Sequence, residues 1–252
     1  MKNFLGSVQK EFDLFQNDLT NYQKEVKRIS QSFGLQNPMH LHDTELPTYW
    51  AGNIDDSKDK IAVIGINPKY DKEKIGFENS FRMKNWDCYK EFQNNFFRYY
   101  FKSPQQFSIP YYRHLAGAFT NSTFTEKTYY NYLHETVLNF DILPYHSVGF
   151  IKSKLSGEAQ MYLKTRFFDE TLPFILKTSN IKKLVIHDKR LCELLLEENF
   201  ISDQNIVYRK ITKKKGPVVY KKEIKGLEIY IFSRFIPMGG FSKQEVFNTI
   251  WN

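Results

Sequence analysis

Apolar residues recur at Phe4, Val8, Phe12, Phe15, Leu19, Tyr22, Val26, Ile29 and Phe33, in steps of four and three. That spacing keeps them on one face, so residues 1–33 predict a single long amphipathic helix, stopped by Gly34 and Pro38. The same steps suit a coiled-coil seam. A seam favours Leu and Ile, however, and this stripe is rich in Phe, so packing on its own domain is the expectation.

Beyond a loop at 38–60 the period changes. KIAVIG at 60–65, TVLNFDIL at 136–143, IKKLVIH at 181–187 and LEIYIFS at 227–233 are short apolar runs of the kind that form buried strands. Residues 206–225 alternate instead, as IVYRKI and VVYKKEI around KKKGP, which predicts a basic β-hairpin. Helices are expected at about 85–101 and about 127–135. A further helix over 156–178 would be capped by Ser156 and broken at Pro173, and a short one would start after Asp188. Ser242 and Glu245 form a capping box for the last helix. This order predicts an α/β fold: a three-layer α/β/α sandwich with a mostly parallel four-stranded central sheet plus the hairpin. The domain reading is an N-terminal helix over 1–37 packed on one α/β domain over 38–252, with an aromatic-rich helical insertion at about 71–135.

Three strand ends carry unusual residues. IAVIG runs into Ile66, Asn67, Pro68, Lys69 and Tyr70. Gly65 permits a close approach, and Pro68 biases Asn67 toward an extended shape that aims its carboxamide outward. The alternative is an ordinary Asn-Pro turn. In DILPYHS, Asp141 lies in an apolar run, where a carboxylate needs a partner; an exocyclic amine or a structural Lys or Arg would serve. His146 follows just beyond. RFIPMGGF combines Arg234, Gly239 and Gly240 with Met238 and Phe241, apolar residues expected at an exposed tip unless they pack on the last helix. Open parallel sheets bind ligands beyond the carboxyl ends of their strands, so these ends are expected to converge.

The net charge of +8, from 36 Lys plus Arg against 28 Asp plus Glu, suits solubility or a polyanionic partner. Arg209, Lys210, Lys213, Lys214 and Lys215 on the hairpin, with Lys69 and Arg234, would make a phosphate track. Cys 2 in all excludes a disulfide scaffold, a four-thiolate cluster and most structural zinc sites. No window approaches ~18 apolar residues, so a cytoplasmic protein without a membrane partner is expected.

GINPKY, NFDILPY and IFSRFIPMGGFSKQE together resemble the uracil-DNA glycosylase superfamily, nearest its mismatch-specific and single-strand-selective branches. The resemblance spans about 60–252. It implies a DNA partner, base flipping, hydrolysis of an N-glycosidic bond, and neither cofactor nor metal. Carried over, Asn67 would position the water, and Gly65, Ile66 and Tyr70 would shape the base pocket. Phe77 or Phe81 would stack on the base, Asp141 would read its edge, and Met238 would act as the wedge. Lys69, Arg209, Lys213, Lys214, Lys215, Gly239 and Gly240 would meet DNA. Three positions depart from the pattern: Lys69 stands for Gly, Asp141 for Asn, and Ile236 for the His that stabilises the departing base. Arg234 or His146 would then supply that field. A carboxylate repels O4 of uracil and suits the amine of a cytosine, which points to a modified cytosine and to repair or defence against modified viral DNA. Two alternatives stay open: a nucleic-acid-binding relative without the chemistry, and an unrelated α/β enzyme on a small phosphorylated molecule. The lack of a GxGxxG or Walker loop counts against the last. A monomer is expected, with a dimer through the N-terminal helix as the other possibility.

Overall fold

The structure, a computed structural model, describes residues 4–35, 40–56, 58–66, 68, 71–103, 109–124, 127–147, 155–211, 216–234 and 240–252. In chain order the elements are α1 (Phe4–Asn17), α2 (Leu19–Ser32), β1 (Trp50–Ala51), β2 (Lys60–Gly65), α3 (Lys72–Arg82), α4 (Trp86–Asn94), α5 (Phe96–Lys102), α6 (Pro110–Thr120), α7 (Tyr129–Thr136) and β3 (Val137–Asp141). Then follow α8 (Gly157–Lys164), a π-helical stretch (Thr165–Thr171), α9 (Leu172–Lys177), β4 (Ile181–Ile186), α10 (Lys189–Glu197), β5 (Ile206–Arg209), β6 (Val218–Ile224), β7 (Leu227–Phe232) and α11 (Lys243–Trp251). The fold is mixed α/β. Its seven-stranded sheet has the order β1-β3-β2-β4-β7-β6-β5, where four central strands were expected. The difference has two sources: the hairpin does not stand apart, because β6 pairs antiparallel with β7 and continues the sheet, and the two-residue β1, within the expected 38–60 loop, adds a strand beside β3.

The chain divides into two compact units that do not follow the expected domains. One comprises Met1–Ala51, Ile66–Asn94 and Phe140–Lys177; the other comprises Gly52–Gly65, Asn95–Asn139 and Thr178–Asn252. The expected insertion at 71–135 is therefore shared between the units, and the N-terminal helices belong to the first.

In the first unit the long helix is two helices. Asp18 leaves helical geometry at φ −149° and accepts from the Asn21 N–H, so a capping carboxylate interrupts the periodic stripe. Leu19, which the periodicity assigned to the buried face, is 44% exposed in consequence. The remaining stripe residues are buried, and Phe4 packs its ring against Tyr49, Trp50, Phe140 and Phe174. Ser156 caps α8 as expected, accepting from the Ala159 N–H at 3.1 Å. Pro173 does not end the helix. The preceding turn widens, with the Leu172 N–H bonding Phe167 O, and a wider turn accommodates a residue that lacks an N–H.

In the second unit β2, β4 and β7 run parallel, with Ile64 beside Ile186 and Ile186 beside Ile231. Their apolar runs are buried, as befits central parallel strands. Lys60 begins β2 with its side chain fully buried. Its ammonium donates to His134 O and Glu135 O at 2.9 Å and meets Asp56 at 3.0 Å, satisfying carbonyls at the end of α7. Asp188 caps α10, and Ser242 and Glu245 form the capping box of α11.

Candidate functional site

The first unit holds two of the three unusual loops, and they are stitched together. The Leu143 N–H donates to Ile66 O at 2.6 Å, and the Ser147 N–H donates to Pro68 O at 3.2 Å. Ile66 is buried. The loops after β2 and β3 therefore leave the sheet side by side. Asn67, Lys69 and Tyr70 lie outside the described residues, so their assigned roles are not placed. Asp141 ends β3, and burial pushes its carboxyl up to about 7. At neutral pH it is split between an acid that donates and a carboxylate that only accepts.

His146 departs from expectation. It is buried, and desolvation, with Arg82 and His42 nearby, holds its pKa well below the usual histidine range. Arg82 is itself fully buried, paired with Glu78 at 3.0 Å, and donates to Thr48 Oγ1 at 3.0 Å. The same Thr48 hydroxyl lies 3.2 Å from His146 Nε2, so the hydroxyl links the guanidinium to the neutral ring. His146 thus supplies no positive field to a departing base, and the role given to it as a cation is corrected. Phe77 and Phe81 both lie on α3. Phe81 is stacked on Phe92 at 5.8 Å and 14°, and Phe77 meets Phe81 edge-on at 5.2 Å.

The second unit holds the end of β2 and the third loop. Because β2, β4 and β7 are parallel, Gly65 and Arg234 leave the sheet at the same edge, with the end of β4 between them. Arg234 is exposed. Gly240 is buried, and a Cβ there would lie 2.7 Å from Arg234 O, so this neck of the loop closes only on glycine. Phe241 is buried between Tyr208 and Phe232. It is therefore core and not an exposed wedge, which corrects the expectation for that ring. Met238 and Gly239 lie outside the described residues, as do Lys213, Lys214 and Lys215. Arg209 is exposed on β5. Lys210 is engaged, with its ammonium 3.0 Å from Glu245 and 3.2 Å from Gly240 O, which removes it from the expected phosphate track.

Two groupings were missed by sequence reasoning. In the second unit the Tyr111 hydroxyl lies 2.8 Å from Asn139 Oδ1 and 2.9 Å from His187 Nε2. Burial lowers the His187 pKa to about 4, so the imidazole is neutral. The available signal was a histidine ending the run IKKLVIH, at the carboxyl end of a parallel strand. In the first unit Arg166, on the π-helical stretch, bonds Glu11, Glu170 and the hydroxyls of Tyr49 and Tyr162. Glu11 also accepts from Tyr49 and Tyr145. This network underlies a cleft of about 370 Å³ lined by Arg28, Ser32, Glu158, Tyr162, Arg166 and Glu170. π-Turns often mark functional positions, but no sequence pattern announces one.

Among the described residues no group of three or more His, Cys, Asp or Glu is placed to hold a metal ion, and no helix is long and apolar enough to cross a membrane. Comparison with known families, curated proteins and solved structures finds no match to this chain. The functional reading therefore stands on its residues alone.

Proposed function

We propose that the chain is a DNA glycosylase that hydrolyses the N-glycosidic bond of a flipped-out, modified pyrimidine, with a modified cytosine favoured over uracil. The supporting observation is the pair of backbone bonds that join the loop after β2 to the loop after β3, Leu143 to Ile66 and Ser147 to Pro68. They set Ile66 and Pro68 beside Leu143 and Ser147 in the stretch that follows Asp141, as a site built from these loops requires. The three-layer sandwich that accompanies the glycosylase resemblance is part of the same proposal.

In this reading Asn67 holds the attacking water, Gly65, Ile66 and Tyr70 shape the pocket, and Asp141 meets the base edge. The elevated carboxyl pKa refines the choice of base. Above pH 7 the carboxylate accepts from an amine and repels a carbonyl; below it, the acid also donates to a carbonyl. Selectivity for cytosine-type bases over uracil-type bases therefore grows with pH. Arg209, Arg234 and the lysines of the hairpin turn contact phosphates, and the protein acts in the cytoplasm as a monomer. The apolar stripe of the N-terminal helices is spent within its own unit, which weighs against a dimer through it.

A second reading, a nucleic-acid-binding relative without the chemistry, draws on the neutral, buried state of His146. One experiment separates the two. The protein is incubated with DNA carrying uracil, mismatched thymine or modified cytosines, and alkali-labile abasic sites are counted. Asn67→Ala is expected to abolish them while DNA retention persists. Retention with no abasic sites on any substrate supports the second reading, and failure to retain DNA at low salt ends both.

A further inference from the structure

Within the first unit, residues 141–147 are fastened to two neighbours. One is the chain after β2, where Ile66 O and Pro68 O accept from the Leu143 and Ser147 N–H groups. The other is a strap over 41–49. Leu41 bridges Ser147, the His42 N–H donates to His146 O at 2.9 Å, and the Thr48 N–H donates to Pro144 O at 2.8 Å. The strap is itself anchored by helices. Tyr22 of α2 and Tyr89 of α4 donate to Glu45 O and Pro47 O, and Asn79 of α3 donates to the Glu45 carboxylate at 2.6 Å. The strap is thus the fixed half of the pair, and 144–147 is the half able to leave it.

One side-chain contact closes the pair. Thr48 Oγ1 accepts from Arg82 at 3.0 Å and lies 3.2 Å from His146 Nε2. Arg82 and His146 are both buried, and among the described residues His146 Nδ1 meets no partner. A proton added to the ring finds no acceptor in place for it. The nearby carboxylates are already engaged: Glu78 with Arg82 at 3.0 Å, Asp43 with Lys27 at 3.5 Å, and Glu45 with Asn79. Beside it in the chain, Tyr145 donates to Glu11. On the strap side the rings of His40 and His42 lie 5.3 Å apart, so protons there would add repulsion.

We propose that the contact of Thr48 with His146 is an acid-operated latch: a proton on His146 sets a second cation across Thr48 from the buried Arg82, drives 144–147 off the strap and loosens its hold on Ile66 and Pro68. As regulation of the proposed pocket this rests on the glycosylase reading; the latch itself does not. The sign follows from linkage. A histidine whose folded pKa is depressed contributes its full stability above the unfolded value of ~6.5, and that stability is lost as pH falls below it. Burial first, then Arg82 and His42, make His146 such a group. The latch is therefore closed at neutral pH, and its closing equilibrium weakens by up to about tenfold for each pH unit below ~6.5. Asp141 acts in the opposite sense, because burial raises its carboxyl to about 7 and acid favours its folded form.

Amide hydrogen exchange of the wild type from pH 7.5 to pH 5 reads the latch without substrate. Protection of the His42, Thr48 and Ser147 amides, corrected for intrinsic exchange, should fall about tenfold per pH unit below ~6.5, while Val26 in α2 keeps its own. His146→Gln should flatten the profile, and His42→Gln should retain it. Should His146→Gln fold poorly, NMR titration of the wild-type ring serves, because His146 must titrate over the same range in which protection is lost. Flat protection, a Val26 amide that follows the others, a pH dependence that disappears with His42, or a ring that titrates elsewhere overturns the latch. Base release measured beside exchange should decline in step with opening, and release undiminished by opening overturns the regulation. Flat protection in a protein that releases base ends the latch and keeps the glycosylase. Opening as expected in a protein that releases no base from any substrate keeps the latch and ends the glycosylase.

Discussion

Arg166→Met removes the centre of the buried network beneath the first unit's cleft, and its cost can be worked from the contacts. The Arg166 side chain is 14% exposed, Glu11 13% and Glu170 6%, and both carboxylates lie 2.8 Å from the guanidinium. Methionine fills much of the volume but leaves two poorly solvated carboxylates without their cation. Removing one member of a buried ionic group costs about 3–5 kcal/mol, chiefly for the charge left behind. At ~2–4 °C per kcal/mol, the unfolding midpoint should fall by roughly 6–20 °C. Urea unfolding followed by tryptophan fluorescence measures this directly. In a Trp251→Phe background only Trp50 and Trp86 remain, and both belong to the first unit. The triple variant Glu11→Gln, Glu170→Gln, Arg166→Met should recover at least half of the loss, because its buried groups are neutral. A loss under about 1 kcal/mol for Arg166→Met, or a triple variant no better than the single one, would refute the reasoning.

Two further outcomes are expected. Burial raises the Asp141 pKa to about 7 from ~3.9 unfolded, so its contribution to stability is full below the unfolded value and is lost as pH rises through 7. Asp141→Asn should therefore gain stability over wild type at pH 8 and much less at pH 5, a difference that paired urea titrations read. Gly240→Ala places a methyl 2.7 Å from Arg234 O and 2.8 Å from Arg234 C, against backbone that must move. Thermal unfolding should show a loss of about 1–3 kcal/mol, and an unchanged midpoint would mean that the neck of this loop is slack.

Local chemistry was what the sequence made readable. The caps at Ser156, Asp188 and Ser242 are self-contained within a few residues, and each forms as expected. The parallel strands were visible because buried apolar runs need no partner to be recognised. Asp18 shows the limit of periodicity: a nine-member apolar stripe ran through it, yet one carboxylate capping the next turn split the helix and exposed Leu19. The hairpin was recognised, but its attachment to β7 depends on pairing that alternation does not encode. Within the candidate site, the joining of Ile66 to Leu143 followed from strand topology. The meeting of Tyr111 with His187, 76 residues apart, depends on how α6 lies over the strands, which no spacing in the chain records. His146 misled for a related reason. Its charge is set by Arg82 and by burial, and both are properties of its neighbours.

The interleaving of the two units bears on how the chain is made. The first unit has all its segments once residue 177 has emerged from the ribosome, whereas the second still lacks Thr178–Asn252, which carries β4 and β7 beside β2. Through the last third of synthesis β2 thus waits for its parallel neighbours. Its apolar run Ile61–Ile64 is then a nascent surface open to chaperones, and a premature stop codon in that stretch would strand it there.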